Sequence, residues 1–123
     1  MQIEGEMVEE EEVLRFLKDF KQKMQVFGVL FRDDRNKNFM TLSSLGITPK
    51  AREEVLFQLD CRDYCEGPIQ EILYQHADMW VFGKTINARE VYIKISMGFV
   101  GVSVICISFH IAEYPLKYPL AKK

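Results

Sequence analysis

Apolar residues recur at three- and four-residue spacing near the N-terminus, where Val13, Phe16, Leu17, Phe20 and Met24 make one stripe. That period predicts a helix over 8–24 with a single buried face. Near the other end of the chain the period changes to two. Val91, Ile93 and Ile95 alternate with Tyr92, Lys94 and Ser96, and Ile105, Ile107 and Phe109 alternate with Cys106, Ser108 and His110. Strand side chains point alternately to opposite faces, so each run predicts a strand with one core face and one polar face.

A loop over Gly98–Val102 joins these runs into a hairpin and puts both apolar sets on the same side. The register then pairs Tyr92 with Ser108, Lys94 with Cys106 and Glu90 with His110. His110 is diagonal to Tyr92, about 7–8 Å away between Cα atoms. A slip of one residue would drive half of the apolar set into water, so burial selects this face arrangement.

The intervening chain reads as short elements. Gln25–Phe31 is β-branched and aromatic and predicts a strand; Arg32–Asn38 is a polar turn; Phe39–Leu45 is a short helix ending at Gly46. Thr48 and Pro49 supply an N-cap and a first helical residue, followed by the stripe Ala51, Val55, Leu56 and Leu59. Cys61–Pro68 reads as a loop, Ile69–Leu73 as a turn and Met79–Thr85 as a strand turning at Ile86–Arg89 into the hairpin. Two Tyr-Pro pairs make the tail beyond Ile111 extended. The expected fold is one α+β domain over 1–123, with N-terminal helices packed on one face of a small antiparallel sheet whose other face is partly open.

Composition changes this picture in two places. Six of the 18 acidic residues (Glu4, Glu6, Glu9, Glu10, Glu11, Glu12) fall in the first 12 positions, which hold no lysine or arginine. The remaining 12 acidic groups face all 16 basic ones, so an acidic tail over 1–12 precedes a body of charge +4 that suits a polyanionic partner. Screening of the basic surface by that tail is one expectation, simple solvation the other. Cys61, Cys65 and Cys106 are an odd set in a chain without a secretion signal or an apolar run of membrane length, which reads as free thiols in the cytoplasm. Cys61 and Cys65 lack the further ligands of a zinc site, and neither a metal nor a cofactor is expected.

A phenol, an ammonium and an imidazole on one sheet face suit phosphodiester cleavage within RNA. There the neighbouring 2′-hydroxyl is a built-in nucleophile, and the protein has only to move protons and stabilise charge. Histidine's unperturbed pKa of about 6.5 lets it donate or accept at neutral pH. His110 is thus the expected general acid or base, Tyr92 the phosphate positioner and Lys94 the charge stabiliser, with Lys84, Arg89 and Ser108 on the RNA path. Trp80 and Phe82 are expected in the core, or on a base if exposed. His76 sits in a polar loop with little to mark it for chemistry.

LGIT (Leu45–Thr48) followed by Leu56, Leu59 followed by the Asp63–Tyr64 pair, MWVFGK, EVYIKI and VICISFH occur in this order. In that combination the chain, over about residues 45–113, resembles the MqsR family of bacterial toxins, RelE-like ribonucleases of type II toxin–antitoxin systems. The resemblance implies a RelE-like fold, mRNA cleavage with or without the ribosome, and a cognate antitoxin, commonly a helix-turn-helix DNA-binding protein. It places the family's strand tyrosine on Tyr92 and its companion lysine on Lys94, with His110 replacing the basic residue after the last Ser-Phe. Two positions depart from the pattern: Glu66 stands where a lysine is usual, and Val81 where a glutamine is. Glu66 would repel a phosphate unless it points away or acts as a base. These two residues favour the alternative of a non-catalytic RNA- or protein-binding module of the same fold.

Overall fold

The computed structural model describes residues 8–33 and 36–121. The N-terminal stripe produces α1, Glu10–Phe27, which buries Val13, Leu17, Phe20 and Met24. Glu10, Glu11 and Glu12 form its first turn, at the positive end of the helix dipole, so the predicted acidic tail is helix from Glu10 onwards. Glu4 and Glu6 lie outside the described residues. The helix runs through Phe27 because a growing helix absorbs a β-branched residue at little cost. It stops at Gly28, whose φ of 83° suits glycine. The predicted strand over 25–31 therefore shrinks to β1, Val29–Phe31.

Helix α2, Asn36–Leu45, starts inside the predicted polar turn and ends at Gly46. Helix α3, Ala51–Gln58, begins two residues later than the Thr48–Pro49 signal predicts. The Thr48 hydroxyl still caps the chain by accepting the Ala51 N–H at 3.2 Å. Beyond α3, the predicted loop is in fact a 3-10 turn, Cys61–Asp63, and then β2, Tyr64–Ile69. Gly67 and Pro68 hide this strand in the sequence. A proline is tolerated there because β2 is the sheet's edge, and its pairing with β3 shifts register twice. Strands β3 (Met79–Ile86), β4 (Arg89–Ser96) and β5 (Val104–Ile111) follow.

The strand order is β1-β5-β4-β3-β2. Neighbours are antiparallel except β1 and β5, which run parallel, so the α+β class holds while the predicted antiparallel sheet is mixed. One face carries the main core. Val13, Leu17, Phe20 and Met24 of α1, with Leu56 and Leu59, meet Trp80, Phe82, Val91, Ile93, Ile95, Cys106 and Phe109 there. Phe16 stacks on Trp80 at 4.5 Å, which assigns Trp80 and Phe82 to the core and away from any base.

The β4–β5 register differs from the expected one in a way that shapes the other face. Tyr92 lies directly opposite His110 and Lys94 opposite Ser108; nearer the loop, Ile95 pairs with Cys106 and Ser96 with Ile105. Ile107 is an inserted bulge residue between these two stretches. The bulge reverses the alternation, so that Cys106 turns into the core while Ser108 and His110 keep the open side. Strand β1 covers only residues 104–106 of β5. Beyond it α2 takes over the edge: the Asn38 amide donates to the Ile107 carbonyl at 2.9 Å and accepts the Phe109 N–H at 3.1 Å, and the Thr41 hydroxyl accepts the Ile111 N–H at 3.3 Å. Two side chains thus continue the ladder where a strand is missing. Among the described residues no helix is long and apolar enough to cross a membrane.

Candidate functional site

Two segments fold over the sheet face opposite α1, and both are tied to β4. At its start, the Glu90 carboxylate accepts the Leu116 N–H at 3.1 Å and the Tyr118 hydroxyl at 2.6 Å, pinning the C-terminal strap. The strap crosses β3 at Gly83, where an added Cβ would come within 2.6 Å of Leu116 Cδ1. At the other end of β4, the buried Ser96 hydroxyl donates to the Ala77 carbonyl at 2.8 Å and lies 3.2 Å from the His76 ring. The segment over 70–78 is held down there. His76 is thus a structural residue, its ring 3 % exposed and its backbone N–H donating to Glu71.

Between the strap and α2 lies a cleft of about 420 Å³ lined by Tyr92, Lys94, Ser108 and His110 from the sheet, Asn38 from α2, and Glu113, Tyr114 and Leu116 from the strap. Because Tyr92 and His110 are directly opposed, their rings stack at 5.1 Å with 14° between the planes. The His110 Nδ1 lies 3.0 Å from the Ile111 carbonyl. A carbonyl can only accept, so Nδ1 carries a proton and Nε2 is the position that gains or loses one. Lys94 Nζ stands 6.0 Å from the Tyr92 ring centroid, and its strand position faces Ser108. The arrangement joins a titratable nitrogen, a hydroxyl donor and a cation in one half-open cleft, the components of acid–base chemistry on an anionic ester.

Comparison with protein-family models, with curated proteins and with solved structures finds no match.

The sheet therefore gathers Tyr92, Lys94, Ser108 and His110, but not every residue read from the sequence. Lys84 shares the side of β3 that carries Phe82 and pairs with Asp63 at 3.1 Å, on the far side of the sheet from the cleft. Arg89 is exposed at the first residue of β4, on the Val91 side, and lies outside the cleft as well. Glu66 aligns with Val81, which aligns with Lys94, so Glu66 is two strands from the lysine, about 9.5 Å across the sheet. It is exposed on the edge strand and does not line the cleft, so neither a base role nor a clash with a bound phosphate follows from it.

Sequence reasoning missed Asn38, Glu113, Tyr114 and Leu116. Asn38 sits in a polar run that gives no hint of its 2 % exposure. For the strap, the Tyr-Pro pairs signal extension but not its landing place. Among the described residues no three His, Cys, Asp or Glu side chains are grouped to hold a metal ion. The three cysteines are unpaired, and burial pushes the Cys65 thiol up to about 12, with the Glu90, Asp63 and Glu66 charges adding to it.

Proposed function

We propose that this protein is an endoribonuclease toxin of the MqsR kind, a cytoplasmic enzyme that cleaves mRNA without needing a metal ion. The observation that carries the reading is the Tyr92–His110 stack beside Lys94 in a cleft open to an extended ligand. The substrate's 2′-oxygen attacks the adjacent phosphorus and the bond from phosphorus to the 5′-oxygen breaks, leaving a 2′,3′-cyclic phosphate. His110 Nε2 takes the 2′-hydroxyl proton while water protonates the departing 5′-oxygen, or, as imidazolium, it supplies the proton to the 5′-oxygen while water takes the one from the 2′-hydroxyl. Lys94 balances the charge that gathers on the phosphorane, and the Tyr92 hydroxyl orients a non-bridging oxygen. The partner is an antitoxin that covers the cleft, in keeping with the helix-turn-helix antitoxins of the family the sequence resembles.

The test is cleavage of single-stranded RNA by wild type and His110→Ala, with the new 3′ ends analysed. Cyclic-phosphate ends from wild type and a loss of roughly 10²–10⁴-fold in the variant are expected. Equal cleavage by the two proteins would remove His110 from the mechanism. A rate that rises with pH through the imidazole titration marks His110 as base, and one that falls marks it as acid. Induced expression supplies the cellular counterpart: growth arrest by wild type, and none by His110→Ala.

A further inference from the structure

The open face does not end at Lys94. A second hollow, about 210 Å³, lies on its other side, and Lys94 lines both. Arg32, Leu73, Tyr74 and Ile107 are among its other walls. We infer that this hollow is a second nucleotide subsite for single-stranded RNA, in which Tyr74 and Arg32 receive the base and phosphate next to those held in the larger cleft. The inference rests on the RNA reading of the main site and extends it to residues outside the hairpin.

Chemistry and continuity both support it. The Arg32 guanidinium lies 5.3 Å from the centre of the Tyr74 ring, and Tyr74 is 52 % exposed. An aromatic plane with a cation against it is the pairing that takes a base by stacking and its phosphate by charge. Ile72 and Leu73 are exposed beside Tyr74 at 74 % and 78 %. An apolar run this exposed on an anchored segment marks a contact surface.

The subsite is also preformed. The Glu71 carboxylate, itself one of the hollow's walls, accepts the N–H groups of Tyr74 at 2.9 Å and His76 at 3.1 Å, and these bonds hold the segment in shape. Its charge is set against the two cations, Arg32 and Lys94, that line the same hollow. On the other wall the Arg32 N–H donates to the Cys106 carbonyl at 3.0 Å, and the Arg32 carbonyl accepts from the Asn38 amide at 3.0 Å. The same Asn38 lines the larger cleft. Asn38 thus ties the backbone that carries Arg32 to the wall of the larger cleft.

Binding of a fluorescently labelled, random-sequence 2′-O-methyl decamer tests the inference, because that probe binds without being cut. Tyr74→Ala and Arg32→Gln are each expected to weaken binding about 10-fold, while Tyr74→Phe keeps the stacking plane and binds as wild type. Circular dichroism and thermal melting confirm that each variant folds. Unchanged affinity in folded Tyr74→Ala and Arg32→Gln would overturn the subsite and leave the exposed 72–74 run to a protein partner. Wild type that binds the decamer with the expected variant losses, yet cuts no RNA, would overturn the nuclease reading and leave the subsite standing. Absence of any binding by wild type would overturn both.

Discussion

The Tyr118 hydroxyl donates to the Glu90 carboxylate at 2.6 Å, and this bond fixes the line along which the C-terminal strap crosses the sheet. Burial first, and the Glu90 bond and charge second, push the Tyr118 phenol above its ordinary value. A group whose folded pKa is raised stabilises the fold fully below its unfolded value and loses that contribution as pH climbs through the folded one. The strap is therefore expected to detach above about pH 10, the unperturbed tyrosine value. Tyr118→Phe removes this alkaline step and about 1–2 kcal/mol of local stability at neutral pH. Tryptic nicking after Lys117, compared between wild type and variant across pH, checks both statements.

Gly83→Ala provides a steric route to the same end. The added methyl meets Leu116 Cδ1 at 2.6 Å and Tyr118 Cε1 at 2.9 Å, so the strap must move while β3 keeps its pairing. Nicking after Lys117 should rise as in Tyr118→Phe. Combining the two substitutions should add little, because the strap is already free. Full additivity would mean that Gly83 and Tyr118 act on different parts of the molecule.

Asn38→Ala removes an edge-capping side chain and leaves the Ile107 carbonyl and the Phe109 N–H without their partners. Stranding a buried polar group costs about 1–3 kcal/mol, so a loss of about 2–4 kcal/mol is expected in chemical denaturation. The same variant frees the Arg32 carbonyl and should raise hydrogen exchange along the outer half of β5.

Acid should release the segment over 70–78. Burial alone would raise the Glu71 carboxyl, but the N–H groups of Tyr74 and His76, with the His76 ring, outweigh it and hold the carboxyl below its ordinary value. A depressed carboxyl stabilises the fold above its unfolded pKa, about 4.3, and loses that contribution as pH falls through the folded value. The protection of the Tyr74 and His76 amides, taken relative to the intrinsic exchange rate at each pH, should fall in this acid range in wild type. In Glu71→Gln that protection should be lower at neutral pH and nearly flat across the same range.

Much of the site was legible because burial dictates strand faces. The alternation around Tyr92 and Lys94 was enough to place both on an open surface with His110. The bulge at Ile107 was not legible: Ile105, Cys106 and Ile107 are all apolar enough for either face, so nothing local marks the inserted residue. Its consequence was a direct Tyr92–His110 stack in place of a diagonal one. Parity along β3 does hold a signal for Lys84, which shares the side of the buried Phe82 and so cannot reach the cleft. Asn38 and the strap depend on partners far away in sequence, Ile107 and Phe109 for the first, Gly83 and Glu90 for the second. Edge strand β2 escaped notice because glycine and proline argue against a strand everywhere except at a sheet's margin.

Both walls of the open face are fastened to β4, one at Glu90 and the other at Ser96. An extended backbone advances about 3.4 Å per residue, so the two anchorages stand about 20 Å apart along a rod that cannot stretch. The strand is a measuring stick. Loops of other lengths could vary what the walls offer, but the span open to an extended ligand is set by a count of residues in the sheet, and it changes only when a wall lets go.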